Sequence, residues 1–200
     1  MTVDWHSALG ILSSIVLLSG VAPYIMSIAR GSTRPHLFSQ IGWSLLSGIA
    51  AAAQLVQGAQ WSVVVPIMST VNSILILSAT LYFGKRAHIH RSDIYPFLCG
   101  LLAIVVWLAT SDPLLAIYIS ILADCLFTIP TITKIYRYPS SEALFPWMLY
   151  AVGSVLGLLS VTSLQPQNIA YPIYAVAGGT LIAILVSRQY FIRDAPRMPG

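Results

Sequence analysis

Charged residues are scarce in this chain. They make up 8% of its 200 residues, whereas a soluble globular domain carries about a quarter. Hydrophobic residues make up 57%, and a chain of this size has too little interior to hide so much apolar surface from water. The composition therefore excludes an ordinary water-soluble domain and predicts that lipid surrounds most of the chain.

Catalytic and metal-binding signatures are also missing. The sequence contains no HExxH, no GxSxG, no phosphate-binding glycine loop and no paired carboxylates, which are the motifs that place nucleophiles, bases or metals in common enzymes. His88 and His90 lack a third ligand for a metal. The last apolar segment, 169–191, has no lysine to form a retinal Schiff base. We therefore expect no enzyme activity, no cofactor and no metal site.

Cysteine is almost absent. The chain has only Cys99 and Cys125, both within predicted apolar segments. They form neither a CxxC pair nor a secreted disulfide framework. We expect both to be small buried residues without a redox or metal-binding role.

Apolar stretches recur along the chain, each about as long as the 20 residues that a transmembrane helix needs. They are 7–29, 37–57, 61–84, 94–110, 113–136, 144–163 and 169–191. The first stretch follows no basic residue and shows no small-residue cleavage site, so we expect a retained helix and not a signal peptide. The predicted fold class is an all-α membrane protein with seven transmembrane helices.

The distribution of basic residues agrees with this count. With seven spans the loops alternate between two sides, and every Lys and Arg then falls on one side. The loops of the other side, VQGAQW, ATSDP and SLQPQN, contain none. The positive-inside rule predicts that the basic side is cytoplasmic, with the N-terminus outside and the C-terminus inside. The net charge of +4 suits anionic lipid and needs no nucleic-acid partner.

The chain also repeats itself. An offset of 107 aligns residues 23–54 with 130–161 without a gap, and an offset of 106 continues the match from VPIMSTVNS to YPIYAVAGG. Seven of the first 32 pairs are identical: Pro23/Pro130, Ile25/Ile132, Ile28/Ile135, Arg30/Arg137, Leu37/Leu144, Phe38/Phe145 and Ser47/Ser154. We predict a first triple-helix bundle at 1–86, a linker helix at 87–112 and a second triple-helix bundle at 113–200. The two bundles are expected to be parallel repeats about an axis along the membrane normal.

This layout resembles the SWEET and PQ-loop superfamily of seven-helix membrane transporters. Members of that family carry prolines near the cytoplasmic ends of their helices, and Pro23, Pro130 and Pro146 match three of these positions. Proline removes a backbone hydrogen bond, so we expect the three residues to be hinges of a gate; the alternative is an inert kink.

The resemblance also points to a substrate path. Asn72 matches an asparagine that faces the substrate in SWEET proteins, and the second such position falls at Gly178 or Gly179. Ala50 and Gly157 align with the tryptophans that stack on a sugar, so the resemblance implies transport of a small solute without implying a sugar.

Asp124 is the only acidic residue inside a predicted span. Ser120, Thr128 and Thr131 lie at helical spacing from it and share its face. A carboxylate costs about 3 kcal/mol in lipid, so this face is expected to look into the bundle or into a wet cavity. Asp124 then either exchanges a proton or holds a cationic or hydroxyl-rich solute. The structural alternative is a protonated acid that hydrogen-bonds a neighbouring helix.

The predicted helix 61–84 presents a second polar face with Ser69, Asn72 and Ser73. Asn72 either binds a solute or ties its helix to a neighbour. Gly178 and Gly179 leave room either for a ligand or for close helix packing. Four aromatic residues are candidates for the path: Tyr24, Trp43, Trp147 and Tyr150. Of these, Trp147 is expected to be an interfacial anchor instead.

Three functions fit these observations. The first is a small-solute transporter or facilitator in which two half-bundles open a path alternately to each side, with or without proton coupling. The second is a receptor or sensor on the same fold, as the KDEL receptors are within this broader group. The third is a non-transporting membrane subunit in which Asp124 fixes assembly. The expected partners are a small solute and the lipid bilayer; an oligomer is compatible with the sequence, and short loops favour a bacterial-type inner membrane.

Overall fold

The computed structural model describes residues 4–83 and 112–191, together with positions 94, 98, 101, 102, 105, 109 and 110. Every regular element in these residues is helical. The α-helices are α1 (Trp5–Ser19), α2 (Val21–Ala29), α3 (Leu37–Val56), α4 (Val64–Phe83), α5 (Pro113–Arg137), α6 (Leu144–Leu159) and α7 (Pro166–Ser187). Short 3-10 helices occupy Trp61–Val63, Pro139–Ser141 and Arg188–Tyr190.

Several helices are suited to a lipid environment. Four stretches are long and apolar enough to cross a membrane: Trp5–Ala29, Trp61–Phe83, Leu114–Arg137 and Pro166–Tyr190. Large apolar side chains on their outer faces are exposed, among them Ile15, Leu122 and Ile184. Such a surface is stable in lipid and unfavourable in water. The chain is therefore an all-helical integral membrane protein.

Helices occupy six of the seven predicted segments. The remaining segment, 94–110, and the predicted linker helix at 87–112 lie mostly outside the described residues. Cys99, His88 and His90 also lie outside them. α6 ends at Leu159, earlier than predicted. α7 starts at Pro166, earlier than the predicted residue 169, because proline fits the first helical position, where its missing N–H has no partner to lose.

The structure corrects the expectation for Cys125, which is exposed. Successive residues of an α-helix are about 100° apart, and Asp124 is buried. Cys125 therefore turns away from the interior, and lipid accepts a small apolar thiol on that face at little cost.

The three predicted hinge prolines have different surroundings. α1 and α2 are separated by a turn at Gly20, because the Pro23 ring crowds the carbonyl four residues earlier and provides no N–H to it. Pro130 lies inside the unbroken helix α5. Pro146 is the third residue of α6, where N–H groups lack a helical partner in any case. Pro146 therefore breaks no helical hydrogen bond, contrary to the prediction.

The described helices pack as a ring. α1 packs against α4 and α6, α3 packs against α4 and α5, and α7 packs against α5 and α6. Hydrogen bonds to backbone oxygens join the helices at two of these contacts, which we call seams. Ser13 Oγ donates to the Gly153 carbonyl oxygen at 2.7 Å between α1 and α6, and Ser39 Oγ donates to the Phe127 carbonyl oxygen at 2.6 Å between α3 and α5.

The two ends of the ring differ in charge. At one end, the Arg34 N–H donates to the Ser141 carbonyl oxygen at 3.1 Å, and the Arg188 guanidinium lies 4.6 Å from the centre of the Tyr136 ring. We call this the basic end, because the described Lys and Arg residues all follow α2 or α7 here or lie in the last turn of α5. The opposite end holds none of the described Lys or Arg residues; there Asp112 caps α5, and Gln54 Nε2 donates to the Gln167 carbonyl oxygen at 3.1 Å.

Candidate functional site

A cavity of about 90 Å³ lies inside the ring, and each of the described helices α1 to α7 contributes to its wall. This is room for several water molecules or a small solute. Among the predicted path residues, those on the wall are Ser69, Asn72, Ser73, Asp124, Thr128, Gly178 and Gly179. Residues that lie far apart in the sequence thus meet in one place.

Other predicted residues lie elsewhere. Ser120 is buried but is not on the cavity wall. Thr131 is also off the wall, since its Oγ1 donates to Ser39 Oγ at 2.8 Å in the seam between α3 and α5. Of the hinge prolines, only Pro146 lines the cavity. The polar face predicted on α5 is therefore divided between the cavity and the interior packing.

Asp124 is 3% exposed on α5, and its Oδ1 atom has no hydrogen-bond partner. One turn later, Thr128 Oγ1 donates to the backbone oxygen of Asp124 at 2.7 Å and accepts from the Trp43 indole at 2.9 Å. These bonds hold the helix turn in place. The carboxyl group itself accepts a hydrogen bond from the Tyr174 side chain, and Oδ1 remains available. Within the described part of the chain, Asp124 forms no ion pair with Lys, Arg or His.

Three tyrosines surround this carboxyl group. Tyr150, Tyr171 and Tyr174 all lie close enough to Asp124 to interact with it electrostatically. The Tyr150 hydroxyl lies 2.9 Å from Ser69 Oγ. Sequence reasoning missed Tyr171 and Tyr174, although two tyrosines three residues apart on one helix share a face. The centre of the cavity is thus aromatic as well as polar.

Two amide side chains contribute further polar atoms. Asn72 Nδ2 donates to the Leu17 carbonyl oxygen at 3.2 Å, which settles the orientation of the amide, since a carbonyl oxygen only accepts. Asn72 Oδ1 and Gln40 Oε1 have no partner, and both residues line the cavity. Gln40 was not predicted; an amide inside an apolar helix is the signal that identifies it.

The paired glycines have separate roles. A Cβ atom added to Gly178 would meet nothing within 4 Å. One added to Gly179 would lie 2.7 Å from the Tyr150 ring, closer than a real side chain allows. Gly178 therefore opens onto free space in the cavity, while Gly179 lets α6 and α7 pack closely.

The positions aligned with sugar-stacking tryptophans do not enlarge the cavity. Ala50 is fully buried against Val65 and Tyr171, and a Cβ atom on Gly157 would lie 2.2 Å from Val65. Neither residue lines the cavity. Small residues at these positions permit close packing instead of creating space.

Aromatic residues continue from the cavity toward the basic end. All four predicted candidates, Tyr24, Trp43, Trp147 and Tyr150, line the wall. The Trp147 ring lies edge-on to the other three, with centroid separations of 6.5 Å to Tyr24, 5.8 Å to Trp43 and 6.0 Å to Tyr150. Trp147 is therefore part of the cavity wall and not the interfacial anchor that was predicted.

A polar cluster around Glu142 closes the basic end beside these rings. Glu142 is 3% exposed and forms an ion pair with Lys134. It also accepts hydrogen bonds from the Tyr24 hydroxyl and, at 3.3 Å, from the Trp147 indole. Lys134 in addition donates to the Arg34 carbonyl oxygen. The cluster links α2, α5 and α6 through two residues of the cavity wall.

Chemically, the cavity offers one carboxyl group, two amide oxygens and several phenol and indole groups. These groups can bind and orient a small polar molecule. No protein-family model, curated protein or solved structure matches the chain. Function is therefore inferred from the cavity and its surroundings.

Proposed function

We propose that the protein is a small-solute membrane transporter or facilitator that opens one central cavity alternately to the two sides of the bilayer. The observation that carries this proposal is the polar interior of an apolar helix ring. Asp124 Oδ1, Asn72 Oδ1 and Gln40 Oε1 are buried without partners, and unpaired buried polar groups cost free energy. A bound solute would supply hydrogen-bond partners to these atoms, which a packed core does not.

The packing order supports two half-bundles. In one half, α4 lies between α1 and α3; in the other, α7 lies between α5 and α6. The halves meet where α1 contacts α6 and where α3 contacts α5. We propose that the segment 87–112 joins them as a further span, which gives the seven-helix plan of the SWEET and PQ-loop superfamily.

Movement at the two seams would expose the cavity. Opening the basic end requires Glu142 to part from Tyr24 and Lys134 to part from the Arg34 carbonyl oxygen, since these contacts link the two halves. The turn at Gly20 and the proline at Pro130 are the proposed places where helices bend. The positive-inside rule makes the basic end cytoplasmic, with the N-terminus outside, in a bacterial-type inner membrane. Asp124 is the group through which proton coupling would act.

Uptake into proteoliposomes tests the proposal. The panel comprises labelled glucose, alanine, choline and ethanolamine, each supplied outside vesicles that contain the purified protein. We expect saturable uptake of at least one solute. Gly178→Phe should block it by filling the cavity, while Leu122→Phe, on the lipid-facing side of α5, should not.

Two results would favour the other functions. Binding of a solute without uptake would indicate a receptor or sensor. Failure to bind or transport, together with a stoichiometric partner that copurifies from native membranes, would indicate a non-transporting subunit.

A further inference from the structure

Three polar atoms on the described part of the cavity wall lack a partner, and each can accept a hydrogen bond. They are Asp124 Oδ1, Asn72 Oδ1 and Gln40 Oε1. The Asn72 oxygen is an acceptor by necessity, because its N–H group is engaged by the Leu17 carbonyl oxygen. A complementary ligand therefore supplies hydrogen-bond donors, and an ammonium group has three donors and no acceptor.

The charges on the cavity wall also favour an ammonium ligand. Asp124 has no cationic partner among the described residues, and the described cavity wall contains no Lys, Arg or His. An ionised carboxylate in a buried site is strongly stabilised by a positive charge nearby. A ligand that carries a carboxylate or phosphate would find no positive side chain on this wall to receive it.

The aromatic walls also favour a cation. The centroids of the Tyr171 and Tyr174 rings lie 5.9 Å apart, and both side chains interact electrostatically with Asp124. Trp43, Trp147 and Tyr150 lie on the same cavity. The faces of aromatic rings attract ammonium groups, and desolvation strengthens this attraction. The limited volume restricts the ligand to a small molecule.

We propose that the cavity selects a small protonated amine, whose ammonium group pairs with the Asp124 carboxylate and donates to the amide oxygens of Asn72 and Gln40. The alkyl part of the amine then lies against the tyrosine and tryptophan rings. This proposal rests on the proposed function and names its substrate class.

Calorimetric titration of the purified protein tests the proposal with three probes of similar length. n-Butylammonium provides the charge, 1-butanol replaces the ammonium group with a neutral hydroxyl, and 4-aminobutyrate adds a carboxylate. We expect wild type to bind n-butylammonium at least about tenfold more tightly than either of the others, since charge-assisted hydrogen bonds exceed neutral ones by more than a kcal/mol.

Substitutions test whether Asp124 causes the preference for n-butylammonium. Asp124→Asn keeps the shape of the side chain and should abolish the preference for n-butylammonium over 1-butanol. Ser120→Ala, one turn earlier on α5 and off the cavity wall, should keep it. If Asp124→Asn is poorly folded, the wild-type protein provides a second measurement. Lowering the pH should weaken binding of n-butylammonium but not of 1-butanol, because a proton competes for the same carboxylate.

The titratable groups near Asp124 do not change their charge during this second measurement. They are Tyr150, Tyr171, Tyr174 and, on its own helix, Cys125, and phenols and thiols are ordinarily neutral from acid to neutral pH. The proposal is overturned if wild type binds 1-butanol or 4-aminobutyrate as tightly as n-butylammonium, or if n-butylammonium does not bind at millimolar concentration. Binding without uptake would contradict only the proposed function, whereas uptake of another solute without amine binding would contradict only the substrate class.

Discussion

The Asn72 side chain donates a hydrogen bond to the backbone oxygen of Leu17 across 3.2 Å. Leu17 lies in the last turn of α1, directly before the turn at Gly20, so this bond fastens α4 to the bent first span. The other half of the amide, Oδ1, stays without a partner on the cavity wall. Asn72 therefore joins two helices and still offers an acceptor to the cavity.

Replacing Asn72 should reduce stability. We expect Asn72→Leu to lower the free energy of unfolding by about 0.5–2 kcal/mol, because an interhelical hydrogen bond is lost in a low-dielectric interior. Unfolding of the purified protein in mixed detergent micelles measures the change. Ser78→Ala is the control, since Ser78 is exposed and bonds only within its own helix. Equal stability of Asn72→Leu and wild type would show that this contact contributes little.

The two neighbouring glycines should respond differently to the same substitution. Gly179→Ala forces a methyl group to within 2.7 Å of the Tyr150 ring and should cost about 1–3 kcal/mol of stability. Gly178→Ala meets open space and should change stability by less than about 0.5 kcal/mol. Melting temperatures of the two variants compare them directly. Similar destabilisation by both would contradict the assignment of Gly178 to the cavity.

Removing the charge of Glu142 should loosen the basic end. Glu142→Gln leaves the Lys134 ammonium without its ion-pair partner, and breaking a buried pair in this way costs about 3–5 kcal/mol; the retained amide reduces this to about 2–4 kcal/mol. The loss should shrink in a Lys134→Met background, as expected for two residues that interact. Denaturant unfolding of the two single variants and the double variant measures the coupling. Simple additivity of the two changes would show that the pair is not coupled.

Cys125 should react only from within the lipid. In a Cys99→Ser background, a lipid-soluble maleimide should label Cys125 in intact membranes, while a charged maleimide should not. The reason is that Cys125 is exposed on a helix long and apolar enough to span the bilayer. Mass spectrometry of the intact protein detects the label. Reaction with the charged reagent would place this face of α5 in water.

Hydrophobicity was sufficient to locate the helices in the described part of the chain, because lipid requires continuous apolar segments whose backbone groups bond within the helix. Hydrophobicity could not show which residues of α5 face the interior and which face lipid. Asp124 and Cys125 are adjacent in the sequence, yet one is buried and the other exposed. The cost of a carboxylate in lipid predicted the position of Asp124 correctly, whereas a thiol is tolerated on either side.

The cluster around Glu142 shows what the sequence could not reveal. Glu142 lies in a connection between helices, where acidic residues usually face solvent. Its partners come from α2, α5 and α6, so no local spacing predicts its burial. Gln40, Tyr171 and Tyr174 are different cases, since an amide and paired tyrosines within apolar helices are visible in the sequence. Only the packing of the helices shows that they share a cavity with Asp124.

The most direct test of the central claim is accessibility of the cavity from the two sides of the membrane. Gly178→Cys, in a background with Cys99→Ser and Cys125→Ser, places a single thiol in open space on the wall, and Leu122→Cys provides a lipid-facing control. A charged methanethiosulfonate reagent is applied separately to right-side-out and inside-out vesicles. Alternating access predicts that the Gly178→Cys thiol is labelled in both orientations while the control remains unlabelled. Labelling of the Gly178→Cys thiol from one side only, or from neither, would contradict a cavity that opens alternately to the two sides of the membrane.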